Sequence, residues 1–557
     1  MYTRSIDDSK DKRALFENIF LKGRRPWYWI ILIGFLLYAK TLSFGFNYLD
    51  DNALILDNFY FISNLSNIPR LFMEDVFHHH SGGSYYRPLL SLSFMLDAQL
   101  GGAKPFIYRL TNVSLHVISA SLVFSLLIKL HYKKILSFFF SLVFAVHPVL
   151  TQAVAWIPGR NDSLLTVFVL FSFIYFLDTL NKKNRASYLS HLLFFALALL
   201  TKETAVLLPV ICVLYIILIS RDKLFSTNTL YLICGWAVVA VPWFLVRKAA
   251  LKAPIGTADF DIAGSLAVNA PAIVPFVGKA IFPFRLSVLP VMKDTPMLYG
   301  AMAIAIIIFL IIFSKKKRIN FIIFGILWFL LFLVPSFIQS ISSTPNFSEH
   351  RVYLSLIGLA FLFLEFDFVK KVETNNRLNL ALGAFVVALF AAITFYHSDN
   401  FRDKISFWEN AVRTSPRSAF NGNNLGSMYY LEGLTGKAER AWRKALELNP
   451  DERLVHGNLG LLYMDRSSFP EAEREYKKEI ELNPLYDNVY FNLGILYYKT
   501  GRPEDAAELW EKTIEINPDY FGAYYKLAEY HYRKNEPDKA SRYIDILNKK
   551  GIPVKGI

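Results

Sequence analysis

Long apolar runs separated by short polar breaks fill the chain from about residue 26 to residue 396, and a polar, amphipathic pattern replaces them after residue 398. Runs of this length predict eleven membrane spans, near 26–44, 105–128, 135–147, 163–180, 186–200, 204–219, 229–246, 297–313, 319–335, 351–368 and 378–396. The third and fifth are short for a hydrocarbon core of ~30 Å, and extension into their flanking loops would complete them. Residues 1–25 form a charged N-terminal segment, and 26–397 the membrane domain. Within that domain, 45–104 is a first external loop, and 247–296 reads as a loop followed by an interfacial or re-entrant helix. The first apolar run has no small-residue cleavage site after it, so it reads as a retained span and not a signal peptide.

The second pattern has a period. Pro416, Pro450, Pro484 and Pro518 stand at one constant interval. Gly426, Gly460, Gly494 and Ala528 repeat at the same interval, as do Ala438, Ala472, Ala506 and Ala540 on the following helices, and Leu425, Leu459, Leu493 and Leu527 as core. The interval is that of the tetratricopeptide repeat (TPR), a helix-turn-helix unit of about 34 residues with small side chains where its helices meet. Residues 398–557 are therefore read as a TPR α-solenoid. It has four repeats, preceded by a half repeat carrying Trp408, Ala411 and Pro416. The fold class is all-α: a polytopic helical membrane domain followed by this solenoid. Asn424, Asn458 and Asn492 form a ladder, one per repeat. They serve either local structure or the backbone of an extended peptide, which stacked amides hold without reading its sequence.

Composition agrees with the pattern: 54% of residues are hydrophobic, with 49 Phe. The net charge of +14 sits largely in clusters between the apolar runs, which argues against nucleic acid as partner and for membrane topology. With a cytoplasmic N-terminus, the cytoplasmic loops carry Lys129/Lys133/Lys134, Lys182/Lys183/Arg185, Arg221/Lys223, Lys315–Lys317 with Arg318, and Lys370/Lys371/Arg377. That is the positive-inside arrangement. An odd number of spans then places the solenoid and the loop after span 1 on the same, extracytoplasmic side. The two cysteines, Cys212 and Cys234, lie in apolar runs and read as buried thiols.

Ionisable residues gather at the external membrane edge. Asp50 and Asp51 follow span 1, and adjacent carboxylates there cost desolvation and repel each other. A solvated loop with a helix cap is the structural alternative. Arg87 lies in Tyr-Tyr-Arg-Pro-Leu, Arg160 and Asp162 in Gly-Arg-Asn-Asp, Lys202 beside Glu203 between two spans, and Glu349-His350-Arg351 opens span 10. His147 precedes Pro148 at the end of span 3. Singly each reads as an anchor or a local ion pair. Together they suggest a polar cavity whose cations suit a phosphate and whose carboxylates suit proton abstraction. No His/Cys cluster has metal-ligand spacing, and His78–His80 read as a surface triplet.

These motifs occur in order: Asp-Asp after span 1, Tyr-Arg-Pro-Leu, the Asn112–His116 run, His-Pro-Val-x-Thr-x-Ala-Val followed by Gly-Arg, Thr-Lys-Glu, and Glu-His-Arg-Val-Tyr-Leu. In that order the chain resembles the transmembrane-and-TPR-containing O-mannosyltransferases. These are GT-C glycosyltransferases, with protein O-mannosyltransferases as more distant relatives. One departure is that Arg351 stands one place later after Glu349 than the pattern expects, which leaves open whether His350 or Arg351 contacts the donor phosphate. The Asn ladder is similar to that in the TPR superhelix of intracellular O-linked N-acetylglucosamine transferase.

The resemblance implies a membrane glycosyltransferase that moves mannose or a similar hexose from a polyprenyl-phosphate-linked donor to Ser/Thr hydroxyls of extracytoplasmic proteins, with inversion. Asp50 or Asp51 would be the general base. Arg87 and Arg351, with Lys202 or Arg160, would lie near the phosphate, with His147, Glu203, Glu349 and His350 lining the site. The acceptor would be a secreted or membrane protein held by the TPR block. No cofactor is needed in principle, and divalent-metal assistance is left open. The alternatives are a GT-C enzyme acting on a lipid or cell-wall glycan, and a non-enzymatic TPR scaffold or transport subunit. The style of the chain suggests a bacterial inner membrane with the TPR block periplasmic. An endoplasmic reticulum location would preserve the same sidedness.

Overall fold

Many helices in the first part of the chain start at or just before a proline and are rich in apolar residues. A proline in the first turn loses no hydrogen bond there, and its fixed φ favours the helix. The computed structural model describes residues 15–77, 85–181, 184–251, 261–338, 347–372, 377–550 and 552. Outside them lie Lys10, Lys12, Arg13, His78–His80, Lys182, Lys183, Lys252 and Asn346. The chain divides into two units, Met1–Ser415 and Pro416–Ile557, and the regular elements among the described residues are helical.

In the first unit α1 (Arg25–Tyr38) leads through a long segment, residues 39–87, whose described part holds several short helical turns, to α2 (Pro88–Gly101), α3 (Pro105–Lys129) and α4 (Lys134–Val146). Next come α5 (Arg160–Asn181), α6 (Arg185–Leu199), α7 (Leu208–Ile219) and α8 (Thr227–Ala250). The unit continues with α9 (Ile262–Asn269), α10 (Ile273–Ile281), α11 (Leu298–Phe313), α12 (Ile319–Leu333), α13 (Leu356–Phe363), α14 (Arg377–Ser398) and α15 (Lys404–Thr414). Six helical stretches among the described residues are long and apolar enough to cross a membrane, and a pair bent by 48° at His147–Pro148 makes a seventh. The protein is a multi-pass membrane protein.

The helices differ in places from the eleven expected runs. The runs at 186–200, 204–219 and 297–313 form shorter apolar helices, and the run at 351–368 holds the eight-residue α13 between the short turns Glu349–Val352 and Asp367–Lys370. Conversely, Ile262–Ile281, read from sequence as interfacial, is a 20-residue stretch apolar enough to span. Of the two thiols expected inside, Cys212 is buried, whereas Cys234 is exposed on α8, a helix that turns most of its apolar surface outward.

Glycine lets two of these helices touch. A Cβ on Gly325 of α12 would stand 2.5 Å from the carbonyl oxygen of Gly358 in α13, so the two backbones are in direct contact. Around this pair the rings of Phe173, Tyr215, Phe324, Trp328 and Phe361 pack edge-to-face, tilted or stacked, at centroid separations of 5.3–6.1 Å. Helix α15, read from sequence as a half repeat, groups with this first unit. It holds the segment after α10: the Val288 N–H donates to Asn410 at 3.2 Å, and Ser287 and Thr414 share a hydroxyl hydrogen bond of 2.6 Å.

The second unit is four helix pairs: α16 (Ala419–Leu431) with α17 (Thr435–Leu448), α18 (Val455–Asp465) with α19 (Phe469–Leu482), α20 (Asp487–Lys499) with α21 (Pro503–Ile516), and α22 (Phe521–Arg533) with α23 (Pro537–Lys549). Gly426, Gly460 and Gly494 admit the rings of Trp442, Tyr476 and Trp510, where a Cβ would stand 2.5–2.6 Å from a ring atom. The turn inside each pair has a left-handed residue at the same register, Gly433, Ser467, Gly501 and Asn535, with φ of 72°, 60°, 80° and 56°. Neighbouring repeats are tied by a recurring acid–tyrosine contact. Glu439 accepts from Arg466 at 2.6 Å and from the Tyr463 hydroxyl at 3.4 Å, and Glu473 accepts from the Tyr497 hydroxyl at 2.9 Å.

Candidate active site

The segment after α1 turns sharply just before the helical turn Asn52–Leu56. Tyr48 and Asp50 both adopt positive φ, 58° and 64°, a region that aspartate tolerates better than most residues. The neighbouring carboxylate locks the turn. Asp51 is fully buried and accepts the backbone N–H of Asn47 at 2.6 Å and of Leu49 at 3.0 Å. The Asn47 amide donates to the Phe401 carbonyl at 3.0 Å, and the Trp156 indole donates to the Leu49 carbonyl at 2.8 Å. Asp50 is left facing a cavity of about 530 Å³ with no hydrogen bond from its carboxylate to any described residue. It is open to the cavity yet crowded by protein, and this burial raises its pKa above the ordinary aspartate value, with Arg87 pulling the other way. Burial likewise raises Asp51, to about 6, against its backbone N–H bonds and Arg109.

Four cations line the same cavity: Arg87, Lys202, Arg247 and Arg351. Two are paired. Arg87 precedes Pro88 and donates to Glu203 at 3.3 Å, its guanidinium lying 4.3 Å from the Tyr85 ring. Glu203 also accepts the Tyr86 backbone N–H at 3.0 Å, so it fixes the approach to α2. Lys202 extends between α6 and the turn before α7 and donates to Asp162 at 2.6 Å and to Asn161 at 3.2 Å. Burial lowers the pKa of this lysine, with Arg87 and Arg351 adding to the shift and Asp162 opposing it. Arg351 donates to the Ser336 carbonyl at 2.9 Å, and the Nε of Arg247, at the end of α8, is buried without a hydrogen-bond partner. His350 sits against Trp156, ring centroids 5.3 Å apart, and burial holds its pKa down to about 3, so it is neutral.

One Asp162 oxygen and the His350 Nδ1 are also buried without a hydrogen-bond partner and border this space. Such groups are costly to leave unmet, so they suit a polar ligand. The lining also includes apolar side chains, among them Val206, Leu207, Phe332, Val334 and Ile338. Among the described residues no group of three or more His, Cys, Asp or Glu side chains is placed to hold a metal ion.

Of the residues singled out from sequence, Asp50, Arg87, Asp162, Lys202, Glu203, His350 and Arg351 meet in this cavity. Asp51, His147, Arg160 and Glu349 do not line it. Arg160 is fully buried, paired with Asp97 at 2.5 Å and donating to Asn112, Ser93 and the Tyr108 carbonyl. Glu349 is closed off by Lys279 and the Ser287 N–H. The His147 ring meets the Ala280 carbonyl at 3.0 Å and accepts the Val149 N–H at 3.3 Å. Arg247, Trp156 and Asn161 are cavity residues that sequence reasoning missed, though Arg247 heads a basic cluster at the end of an apolar run.

In the solenoid the Asn424 amide donates back to the Phe420 carbonyl of its own helix at 2.9 Å. Asn458 donates to Asn423 and Ser427 of the preceding repeat at 3.0 and 3.3 Å. The Asn492 side chain makes no hydrogen bond to a described residue. The three side chains are half-buried.

A family model described as dolichyl-phosphate-mannose-protein mannosyltransferase matches residues 88–245, from α2 into α8. Two tetratricopeptide repeat models match residues 460–501 and 488–520. Protein O-mannosyl-transferase Tmtc1 of Drosophila melanogaster is 33% identical over 185 residues, which is 32% of this chain and 21% of that protein. Protein O-mannosyl-transferase TMTC2 of Homo sapiens is 35% identical across 26% of this chain and 17% of its own length. Protein O-mannosyl-transferase F38B6.6 of Caenorhabditis elegans is 24% identical over 436 residues, 74% of this chain and 61% of that protein. The matched segments span less than two thirds of each relative's length.

Proposed function

We propose that this chain, which joins a mannosyltransferase domain to TPR repeats and has protein O-mannosyl-transferases as homologues, transfers a hexose from a polyprenyl-phosphate donor to Ser or Thr hydroxyls of polypeptides. The observation that carries this reading is the cavity of about 530 Å³ itself, where an unbonded carboxylate, Asp50, faces four cations beside an apolar wall. A polyprenyl-phosphate sugar has the matching parts: an apolar chain, an anionic phosphate and a polar sugar.

In this mechanism the lipid chain enters along Phe332, Val334 and Ile338. The phosphate goes to Arg351 and Arg247, the cations without a carboxylate partner among the described residues, with Arg87 beside them. The acceptor hydroxyl attacks the anomeric carbon while Asp50 takes its proton. The bond from that carbon to the phosphate oxygen breaks as the new C–O bond forms, so the anomeric centre inverts. The guanidinium groups stabilise charge gathering on the leaving phosphate. The buried Asp162 oxygen and His350 nitrogen suit sugar hydroxyls. Divalent-metal assistance is an open part of this reading. The TPR block would present the polypeptide from the extracytoplasmic side, with the N-terminus cytoplasmic, as in a bacterial inner membrane or the endoplasmic reticulum.

The test is intact-mass spectrometry of a Ser/Thr-rich secreted acceptor, incubated with membranes carrying the full chain and polyprenyl-phosphate hexoses. A hexose-sized increment made by wild type and not by Asp50→Asn supports the reading. Transfer to lipid alone moves the acceptor to a glycolipid. Donor turnover by Asp50→Asn at the wild-type rate rejects the assigned base.

A further inference from the structure

A second cavity lies on another side of the membrane unit, between α4, α13 and α14, with a volume of about 490 Å³. Apart from His147 and Asn379 its walls are apolar, among them Leu136, Phe139, Val143, Ala360, Phe363 and Val386. Both His147 nitrogens are already engaged by main-chain groups, so the ring offers a ligand nothing. Water cannot fill such a space, because each buried water needs about two to four polar partners. Leu382, on the groove wall, is more than half exposed along α14, so the space opens sideways to the hydrocarbon.

One end of the groove is basic. Lys133 and Lys134 start α4 just before the wall residue Leu136, and Lys370 and Lys371 fall between the wall residues Val369 and Val372. The loop with Lys315 and Lys316 joins them: the carboxylate of Asp367 accepts both backbone N–H groups, at 2.7 and 3.0 Å, and the Lys370 ammonium donates to the Lys316 carbonyl at 2.8 Å. Glu365 is occupied by Arg318 and Lys370. Among the described residues the exposed ammonium groups of Lys133 and Lys134 donate to the carbonyls of Lys370 and Gly23, at 2.8 and 3.4 Å, and to no carboxylate. Among the described residues this rim has more positive charge than its two acids, Glu365 and Asp367, balance.

We infer that this groove is a phospholipid site, separate from the sugar-transfer cavity, that holds one acyl chain of an anionic phospholipid with its headgroup on the Lys133–Lys134–Lys371 rim. The apolar wall supplies the chain contact and the rim selects the headgroup charge. The site stands on its own geometry and does not depend on the transferase reading.

Native mass spectrometry of the full-length protein tests it, after detergent extraction and equal additions of dioleoylphosphatidylglycerol and dioleoylphosphatidylcholine. Wild type is expected to retain phosphatidylglycerol preferentially. Ala360→Trp, and independently Val143→Phe, should fill the groove and remove that adduct, while a Lys133→Ser/Lys134→Ser/Lys371→Ser protein should lose the preference by about fivefold per lysine. A folded wild type with no charge preference overturns the inference. So does an adduct that persists undiminished in both groove-filled variants, or one displaced by stoichiometric polyprenyl phosphate but not by excess phosphatidylglycerol.

Discussion

Asp51 accepts the Asn47 backbone N–H at 2.6 Å, and that bond closes the turn on which Asp50 stands at φ 64°. The adjacent carboxylates thus have separable consequences. Asp51→Asn gives up charge-assisted bonds inside the fold, and the expected cost is about 1–3 kcal/mol, read as lower thermal stability in detergent. Asp50→Asn breaks no hydrogen bond with a described residue, so stability should be unchanged while transfer falls by about 10²–10⁴-fold.

The proposed base also predicts a pH dependence. A carboxylate acts as a base only when ionised, and burial raises the pKa of Asp50 above its ordinary value. Transfer should therefore fall as the medium is acidified, with the midpoint above the usual aspartate range. Arg87 holds that pKa down. Arg87→Gln should move the acid limb of the kcat/KM profile to higher pH, and an unmoved limb in a still-active variant would assign it to another group.

Arg160 and Asp97 meet at 2.5 Å with almost no solvent access. Removing one partner of such a buried pair typically costs about 3–5 kcal/mol. Arg160→Met should show that loss on thermal unfolding. The fraction that remains folded should keep its affinity for donor lipid, since Arg160 does not line the transfer cavity.

Ser467 has the left-handed turn conformation, φ 60°, that glycine has at Gly433 and Gly501. Holding a non-glycine residue there costs about 1 kcal/mol. Ser467→Gly should stabilise the second repeat by about that amount, seen as slower amide hydrogen exchange in α18 and α19.

The Asn ladder makes a prediction about acceptors. Asn492→Ala should raise KM for long polypeptides and leave a di- or tripeptide acceptor unaffected, measured by the same mass increment. An equal change for both lengths would place the asparagine in local structure only.

The solenoid was legible because its information is local: prolines, glycines and alanines recur once per repeat, and each repeat folds by the same contacts. The left-handed turn register was also in the sequence, at Gly433 and Gly501, but Ser467 and Asn535 disguised it. The candidate site was legible as a set of charges and not as an arrangement. Asp50 and Asp51 are neighbours in sequence, and only the positive-φ turn decides which faces the cavity. Arg160 and Glu349 look like free ionic groups until Asp97 and Lys279, both distant in sequence, are brought against them. Arg247 reads as the end of a span, and tertiary packing alone makes it part of the cavity wall.

The first two junctions between TPR pairs use one contact, Glu439 with Tyr463 and Glu473 with Tyr497, whereas the third is held by Tyr520 on Asn488 and Lys534 on Glu504. A block one repeat long is therefore a unit of inheritance as well as of structure. Duplication of the second repeat, which carries both Tyr463 and Glu473, would keep the acid–tyrosine contact on each of its sides and alter no residue of the first unit. If the solenoid holds the acceptor as proposed, its reach would change by whole repeats with no change at Asp50.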